Sequence, residues 1–122
     1  MARILVAEDQ PAVREFVLRA LEHAGHEVIL ASDGAEALEA LHGSEMPFDL
    51  LLTDIVMPVM DGIALALKVA RDYPEVTVLM MTGYAAEKQR AHNLDLLIHD
   101  VVSKPFTMEE IIAKVNEALR QG

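Results

Sequence analysis

The sequence predicts an α/β fold in which one doubly wound sheet of five parallel strands carries five helices on its two faces. Two observations carry that reading. Five short apolar, partly β-branched runs alternate with helical patterns along the chain, which is the order of repeated βα units. Right-handed crossovers between parallel strands then require helices on both faces of one sheet. A third observation bounds the size: 122 residues leave room for one domain, and a hydrophobic fraction of 52% supplies its core.

Each element has its own reason. The first run, Ile4 to Ala7, reads as a buried strand. Val13, Phe16, Val17, Ala20, Leu21 and Ala24 then follow the i, i+3, i+4, i+7 stripe of a helix, with Pro11 suited to its first turn and Gly25 to its stop. Val28 to Ala31 is the second run, and 34–41 a shorter helix with Leu38 and Leu41 inward. Phe48 to Thr53 forms the third run. Asp61 is an N-cap for a helix carrying Ile63, Ala66, Leu67 and Ala70, with Arg71 in the last turn, where a cation is favoured. Val76 to Met81 is the fourth run. Residues 85–92 have good helix propensity and little apolar stripe, so this segment is expected to be the most mobile. Val101 to Ser103 closes the sheet, and Thr107 with Glu110 makes a capping box for a last helix carrying Ile111, Ile112, Val115, Ala118 and Leu119. No linker or low-complexity tract divides residues 1–122, so one domain is expected.

Charge and composition exclude several functions. With 10 basic and 20 acidic residues the net charge is −10, which disfavours nucleic acid and anionic membranes as partners. Zero cysteines remove disulfides, thiol catalysis and sulfur metal sites together. The start has no signal-peptide pattern, and no apolar run approaches about 18 residues. A soluble, cytoplasmic protein is expected. The five histidines, His23, His26, His42, His92 and His99, lack ligand spacing and read as solvated surface.

Ligands of doubly wound sheets bind beyond the carboxyl ends of the strands. Those ends carry Glu8 and Asp9, Asp54, Thr82 and Lys104. If the strand order is flavodoxin-like, three carboxylates, a hydroxyl and an ammonium group converge. Two like charges at 4 Å repel by about 4 kcal/mol at an effective dielectric near 20, so the cluster calls for a cation. Mg2+, which prefers oxygen ligands and keeps several waters, suits it. Taken singly, each of these residues also reads as a helix cap or loop surface; four different strands ending alike favours a site.

Glu8-Asp9, Asp54-Ile55-Val56-Met57-Pro58, Met60-Asp61-Gly62, Thr82 and Lys104-Pro105-Phe106 together resemble the receiver domains of two-component response regulators, the CheY-like fold, over essentially the whole chain. The resemblance implies strand order 2-1-3-4-5. It implies that Asp54 accepts a phosphoryl group from a histidine kinase or histidine phosphotransfer protein. It further implies that Glu8, Asp9, Asp54 and the Val56 backbone carbonyl hold Mg2+, that Thr82 and Lys104 contact the phosphoryl oxygens, and that the bond before Pro105 is cis. Such a domain is no enzyme beyond its own phosphorylation and dephosphorylation. The chemistry agrees: a carboxylate is a competent nucleophile toward phosphorus, and phosphoryl transfer is catalysed mainly by positioning and charge. No P-loop is present, so the donor comes from outside.

Two features depart from the common receiver pattern. Where many receivers carry an aromatic ring that toggles inward, three positions before the lysine, this chain has Val101; Tyr84, two positions after Thr82, is the candidate moving ring. Residues 94–98, Leu-Asp-Leu-Leu-Ile, are partly core and partly an apolar patch of the kind that marks partner sites. No effector domain is expected before Gly122, so output is expected to be protein binding. The wording of Ala7-Glu8-Asp9, 52–58, Thr82-Gly83-Tyr84 and 103–106 looks most like the CpdR group of receivers, which serve as adaptors of the ClpXP protease, making ClpX a candidate partner. Two alternatives use the same sheet. A nucleotide- or flavin-binding module lacks a Gly-rich phosphate loop here and would meet negative strand ends. A hydrolase with an aspartyl-phosphate intermediate would need a cap segment for which there is no spare length.

Overall fold

A computed structural model describes residues 2–92, 94 and 97–121. The elements run β1 (Arg3–Ala7), α1 (Pro11–His23), β2 (Glu27–Ala31), α2 (Gly34–Gly43), β3 (Leu50–Asp54), α3 (Gly62–Asp72), β4 (Thr77–Thr82), α4 (Ala85–His92), β5 (Asp100–Ser103) and α5 (Met108–Gln121). All pairings are parallel, in the order β2-β1-β3-β4-β5. The winding reverses between β1 and β3, where Ala7 pairs with Thr53.

Period-two alternation splits the sheet into two cores. Ile4 and Val6 of β1, Leu50 and Leu52 of β3 and Leu79 and Met81 of β4 face α1 and α5, packing on Val17, Leu21, Ile111 and Val115. Leu5, Leu51, Val78 and Met80 face the other way, onto Ala37, Leu41, Leu65, Val69 and Ala91 of α2, α3 and α4. Both faces of β1 and β3 are covered, which explains why their runs are continuously apolar.

Pro11 occupies the start of α1, and Gly25 follows its end at φ 91, a left-handed position that glycine adopts without steric cost. Asp61 Oδ1 accepts the Ala64 N–H at 2.8 Å. The box at α5 is closed in both senses: Thr107 Oγ1 accepts from the Glu110 N–H at 3.0 Å and Glu110 Oε1 from the Thr107 N–H at 2.8 Å. A second cap, Asp33 Oδ1 accepting from the Glu36 N–H at 2.9 Å, starts α2.

Three expectations need correction. The run in β2 is not fully buried: at the edge that the order 2-1-3-4-5 gives it, Val28 and Ile29 are half-buried and Leu30 exposed, because only β1 flanks it. β3 begins at Leu50; the Asp49 carboxylate takes the Arg3 N–H at 2.8 Å, and Phe48 is buried outside the strand with the Arg3 guanidinium 4.2 Å above its ring. Two histidines are also more than solvated surface. His26 is half-buried, its Nδ1 accepting from the Ala2 N–H and its Nε2 donating to Asn116 Oδ1, and His99 lies 3.5 Å from Glu117. Of the 94–98 segment, Asp95 and Leu96 lie outside the described residues; Ile98 is buried in the core, Leu94 half-buried and Leu97 exposed.

The Asp61 cap yields a stability prediction. Asp61→Ala should lower the unfolding free energy by about 1 kcal/mol, read as a lower urea midpoint at unchanged slope. Asp61→Ser, which keeps an acceptor, should recover most of the loss.

Candidate functional site

The five residues singled out from the sequence stand at one end of the sheet. Glu8 and Asp9 follow β1, Asp54 and Thr82 are the last residues of β3 and β4, and Lys104 follows β5. Parallel pairing brings these ends level: Asp54 lies opposite Met81 and Thr82 opposite Ser103. The switch between β1 and β3 sets Glu8 and Asp9 beside Asp54.

Glu8 is fully buried and Asp54 is 9% exposed, so neither carboxylate is solvated as at a surface. Lys104 Nζ donates to Glu8 Oε1 at 2.7 Å and to Asp54 Oδ2 at 3.0 Å. The remaining oxygens are occupied by backbone: the Gln10 N–H donates to Glu8 Oε2 at 3.0 Å, and the Ile55 N–H to Asp54 Oδ1 at 2.9 Å. Burial pushes the Glu8 carboxyl above its ordinary range, despite the Lys104 and Gln10 hydrogen bonds. Burial also works against the Lys104 charge, but the hydrogen bonds it donates to Glu8 and Asp54 outweigh it and hold the ammonium pKa above its usual value. The two shifts have opposite causes: burial dominates at Glu8, and the carboxylate partners dominate over burial at Lys104.

One oxygen each from Glu8, Asp9 and Asp54 can be chosen so that all lie within 4.8 Å of one another. Three carboxylates against one ammonium leave the pocket with a net charge of −2 when all are ionised. Hard oxygen donors without sulfur or imidazole among them suit a hard divalent cation such as Mg2+. Asp9, half-buried, opens onto a pocket of about 370 Å3 lined also by Gln10, Asp54, Val56, Gly83, Tyr84 and Lys104.

Thr82 is buried, and its two oxygens tie together the loops on either side. Its carbonyl accepts the Lys104 N–H at 2.8 Å, and its Oγ1 accepts the Tyr84 N–H at 3.2 Å. Lys104–Pro105 is cis. The Tyr84 side chain points outward at 68% exposure, and Val101 is buried in the core. Asp9, Asp54, Lys104, Val56 and Tyr84 therefore line one pocket, with Glu8 buried behind Lys104 and Thr82 joined to the Lys104 and Tyr84 backbone.

Arg14 escaped the sequence reading, and Gly62, named there only within a motif, gains a packing role. Arg14, one turn into α1, donates from Nη1 to the Glu8 carbonyl at 3.0 Å and so fixes the backbone between the two acidic residues. Its only sequence cue is a polar position facing the strand end. Gly62 packs against the Asp54 main chain, where a Cβ would overlap the Asp54 carbonyl oxygen. The Asp-Gly pair after β3 was read as a cap and a family motif, and packing adds the reason for the glycine.

Comparison with known proteins agrees with this geometry. The response regulator receiver domain model matches residues 4–116. The response regulator receiver protein CpdR of Brucella abortus is 41% identical over 119 residues, spanning 98% of each chain. The response regulator MprA of Mycobacterium ulcerans is 37% identical, and there the chain spans 50% of the relative's length. Among solved structures, chemotaxis response regulator CheY4 of Vibrio cholerae superposes with a TM-score of 0.87 at 28% identity, over 97% of this chain and 98% of that one. The Thermotoga maritima regulator TrrA, solved with Mg2+ and BeF, gives a TM-score of 0.85 at 29% identity, over 97% and 99%. A family match over residues 4–116, with 41% identity to a relative covered along 98% of both chains, makes this chain a member of the response regulator receiver domain family of two-component signalling.

Proposed function

We propose that Asp54 accepts a phosphoryl group from a histidine kinase or histidine phosphotransfer protein and that the phosphorylated and free forms bind an output protein differently. Receiver domains bind Mg2+ through acidic residues and take phosphoryl groups from histidine kinases. The observation that carries the proposal here is Asp54 itself. It is the one carboxylate of the cluster that ends a central strand, lines the open pocket and touches Lys104.

In the step, an Asp54 carboxylate oxygen forms a bond to phosphorus while the P–N bond to the donor imidazole breaks and its electron pair returns to the ring nitrogen. Lys104 Nζ, 3.0 Å from Asp54 Oδ2, is within a short movement of the new phosphoryl oxygens. Thr82 supplies a hydroxyl donor from the neighbouring strand end. Glu8, Asp9, Asp54 and the Val56 carbonyl would hold Mg2+, which supplies positive charge to the transferring group when bound. The Ile55 N–H fixes the carboxylate plane through Oδ1. Beyond this exchange at its own aspartate the domain does no chemistry on a substrate.

The switch follows from Thr82. A phosphoryl group on Asp54 adds charge and acceptor oxygens that attract the Thr82 hydroxyl. The Tyr84 N–H is hydrogen-bonded to that same oxygen, so the Gly83–Tyr84 loop moves with it. Val101 is too small to serve as a rotating ring, which leaves Tyr84 and the adjoining α4. For output, likeness to CpdR supports a role as a cytoplasmic adaptor presenting substrates to ClpXP through ClpX.

Three tests follow. A small phosphodonor with Mg2+ should add one acid-labile phosphoryl group by intact mass, and Asp54→Asn should abolish it with the fold retained; equal labelling of the variant would place the acceptor elsewhere. Asp9→Asn should weaken Mg2+ binding about tenfold or more, measured by calorimetry; unchanged affinity would remove Asp9 from the ligand set. Thr82→Ala should be labelled yet leave the amide shifts of Tyr84 through α4 near their unphosphorylated values, while Tyr84→Ala should be labelled normally but lose the difference in ClpX capture between wild type and Asp54→Ala. Shift changes confined to the pocket in the wild type would overturn the coupling, and equal capture of ClpX by wild type and Asp54→Ala would overturn the adaptor role.

A further inference from the structure

The loop joining β3 to α3 holds a backbone conformation that its sequence disfavours. Val59 has φ 69, and around it the Met60 N–H donates to the Pro58 carbonyl at 2.7 Å. A three-residue turn closed at positive φ is the rarer, strained form of the γ-turn. A β-branched residue is poorly suited to its centre. Nothing local rewards it, since the Val59 side chain is 83% exposed. Strained backbone of this kind persists only where the surroundings over-determine it.

The surroundings do so at both ends. At the α3 end, the Gly62 N–H donates to the Ile55 carbonyl at 2.7 Å. At the tip, the Gly34 N–H, at the first residue of α2, donates to the Met60 carbonyl at 3.1 Å. A Cβ on Gly34 would lie 2.5 Å from that oxygen and 2.9 Å from Met60 Cβ and Cγ, so no side chain fits between helix and loop. Gly34 is not in the left-handed region; glycine is required there for space alone. The N-terminus of α2 is itself held by Asp33, through the Glu36 N–H, and by Glu36 Oε1 accepting from the Ser32 N–H at 2.9 Å.

Between these anchors lies Val56, which lines the carboxylate pocket. We propose that Gly34 is a positioning residue for the Mg2+ site: close backbone contact between α2 and the Met60 carbonyl clamps the β3–α3 loop and so sets where Val56 stands relative to Glu8, Asp9 and Asp54. The proposal rests on the Mg2+ reading given above and extends it to a helix that contributes no ligand.

The test is MgCl2 titration followed by amide NMR shifts, with the melting temperature taken in parallel. Gly34→Ala should raise the Mg2+ dissociation constant about tenfold, the usual effect of losing an outer support of a metal site. Leu41→Ala, a core truncation on the same helix away from the loop, should lower the melting temperature and leave Mg2+ affinity unchanged. Should Gly34→Ala fail to fold, Asp33→Ala serves instead. Loss of the cap frays the first turn of α2, and the dissociation constant should rise severalfold, with Asp33→Ser, which keeps a cap and removes the same charge, restoring it. A folded Gly34→Ala that binds Mg2+ as the wild type does, or Asp33→Ala and Asp33→Ser that bind alike, overturns the clamp. Wild-type binding that is lost in Asp9→Asn shows that the Mg2+ reading stands whichever way the clamp result falls; absence of Asp9-dependent binding in the wild type sinks both.

Discussion

The structure turns on one half-buried ammonium group. Lys104 sits between Glu8 and Asp54 at hydrogen-bond distance from both, with Glu8 fully buried and Asp54 at the edge of the pocket. Two carboxylates so close repel by several kcal/mol at any dielectric plausible for a protein interior. A buried pair that loses one partner leaves an uncompensated charge, at a cost of about 3–5 kcal/mol. The arrangement is therefore stable only while a cation stands between the acids. A divalent ion bound at the Asp9 side would add to the positive charge that the ammonium already supplies there.

Bringing these groups together is the task of the sheet. Glu8 and Lys104 are 96 positions apart in the chain, and they meet because β1 and β5 both run toward the same end on either side of β3 and β4. The two cores hold that register by facing alternate residues of the same strands onto different helices. A slip of one residue would exchange the faces of a strand and bury nothing correctly. Placement of a charged side chain to within a hydrogen bond is in this sense a consequence of apolar packing several residues away.

Much of this was legible in the sequence, for identifiable reasons. Pro11, Asp61 and the Thr107–Glu110 pair act through contacts within one turn, so their roles follow from local spacing. The strand-end acids, Thr82 and Lys104 could be named because parallel strands place all their carboxyl ends together. The exposure of β2 was not legible in its own residues, because Val28, Ile29 and Leu30 are as apolar as the central runs, and only the strand order implied by the family resemblance leaves one side open. Nor were Arg14, Gly34 or the bridge from Lys104 to Glu8, since each depends on what a different element presents at that point. Residues were readable wherever the contact is local or fixed by topology, and pairings across elements were not.

The same asymmetry bears on where a signal leaves the pocket. Thr82 ties two elements at once, Lys104 through its carbonyl and Tyr84 through its hydroxyl. Movement of Thr82 strains both ties, and the weaker attachment yields. α5, which follows Lys104, is closed by a capping box and buries Ile111, Val115 and Ala118 against the sheet. α4, which follows Tyr84, buries only Ala91 among its described side chains. An element with so little apolar contact opens at lower free energy than one with a full stripe. Under the proposed switch, a displacement at Thr82 would therefore pass to α4 rather than to α5, because α4 buries the less apolar surface among the described residues.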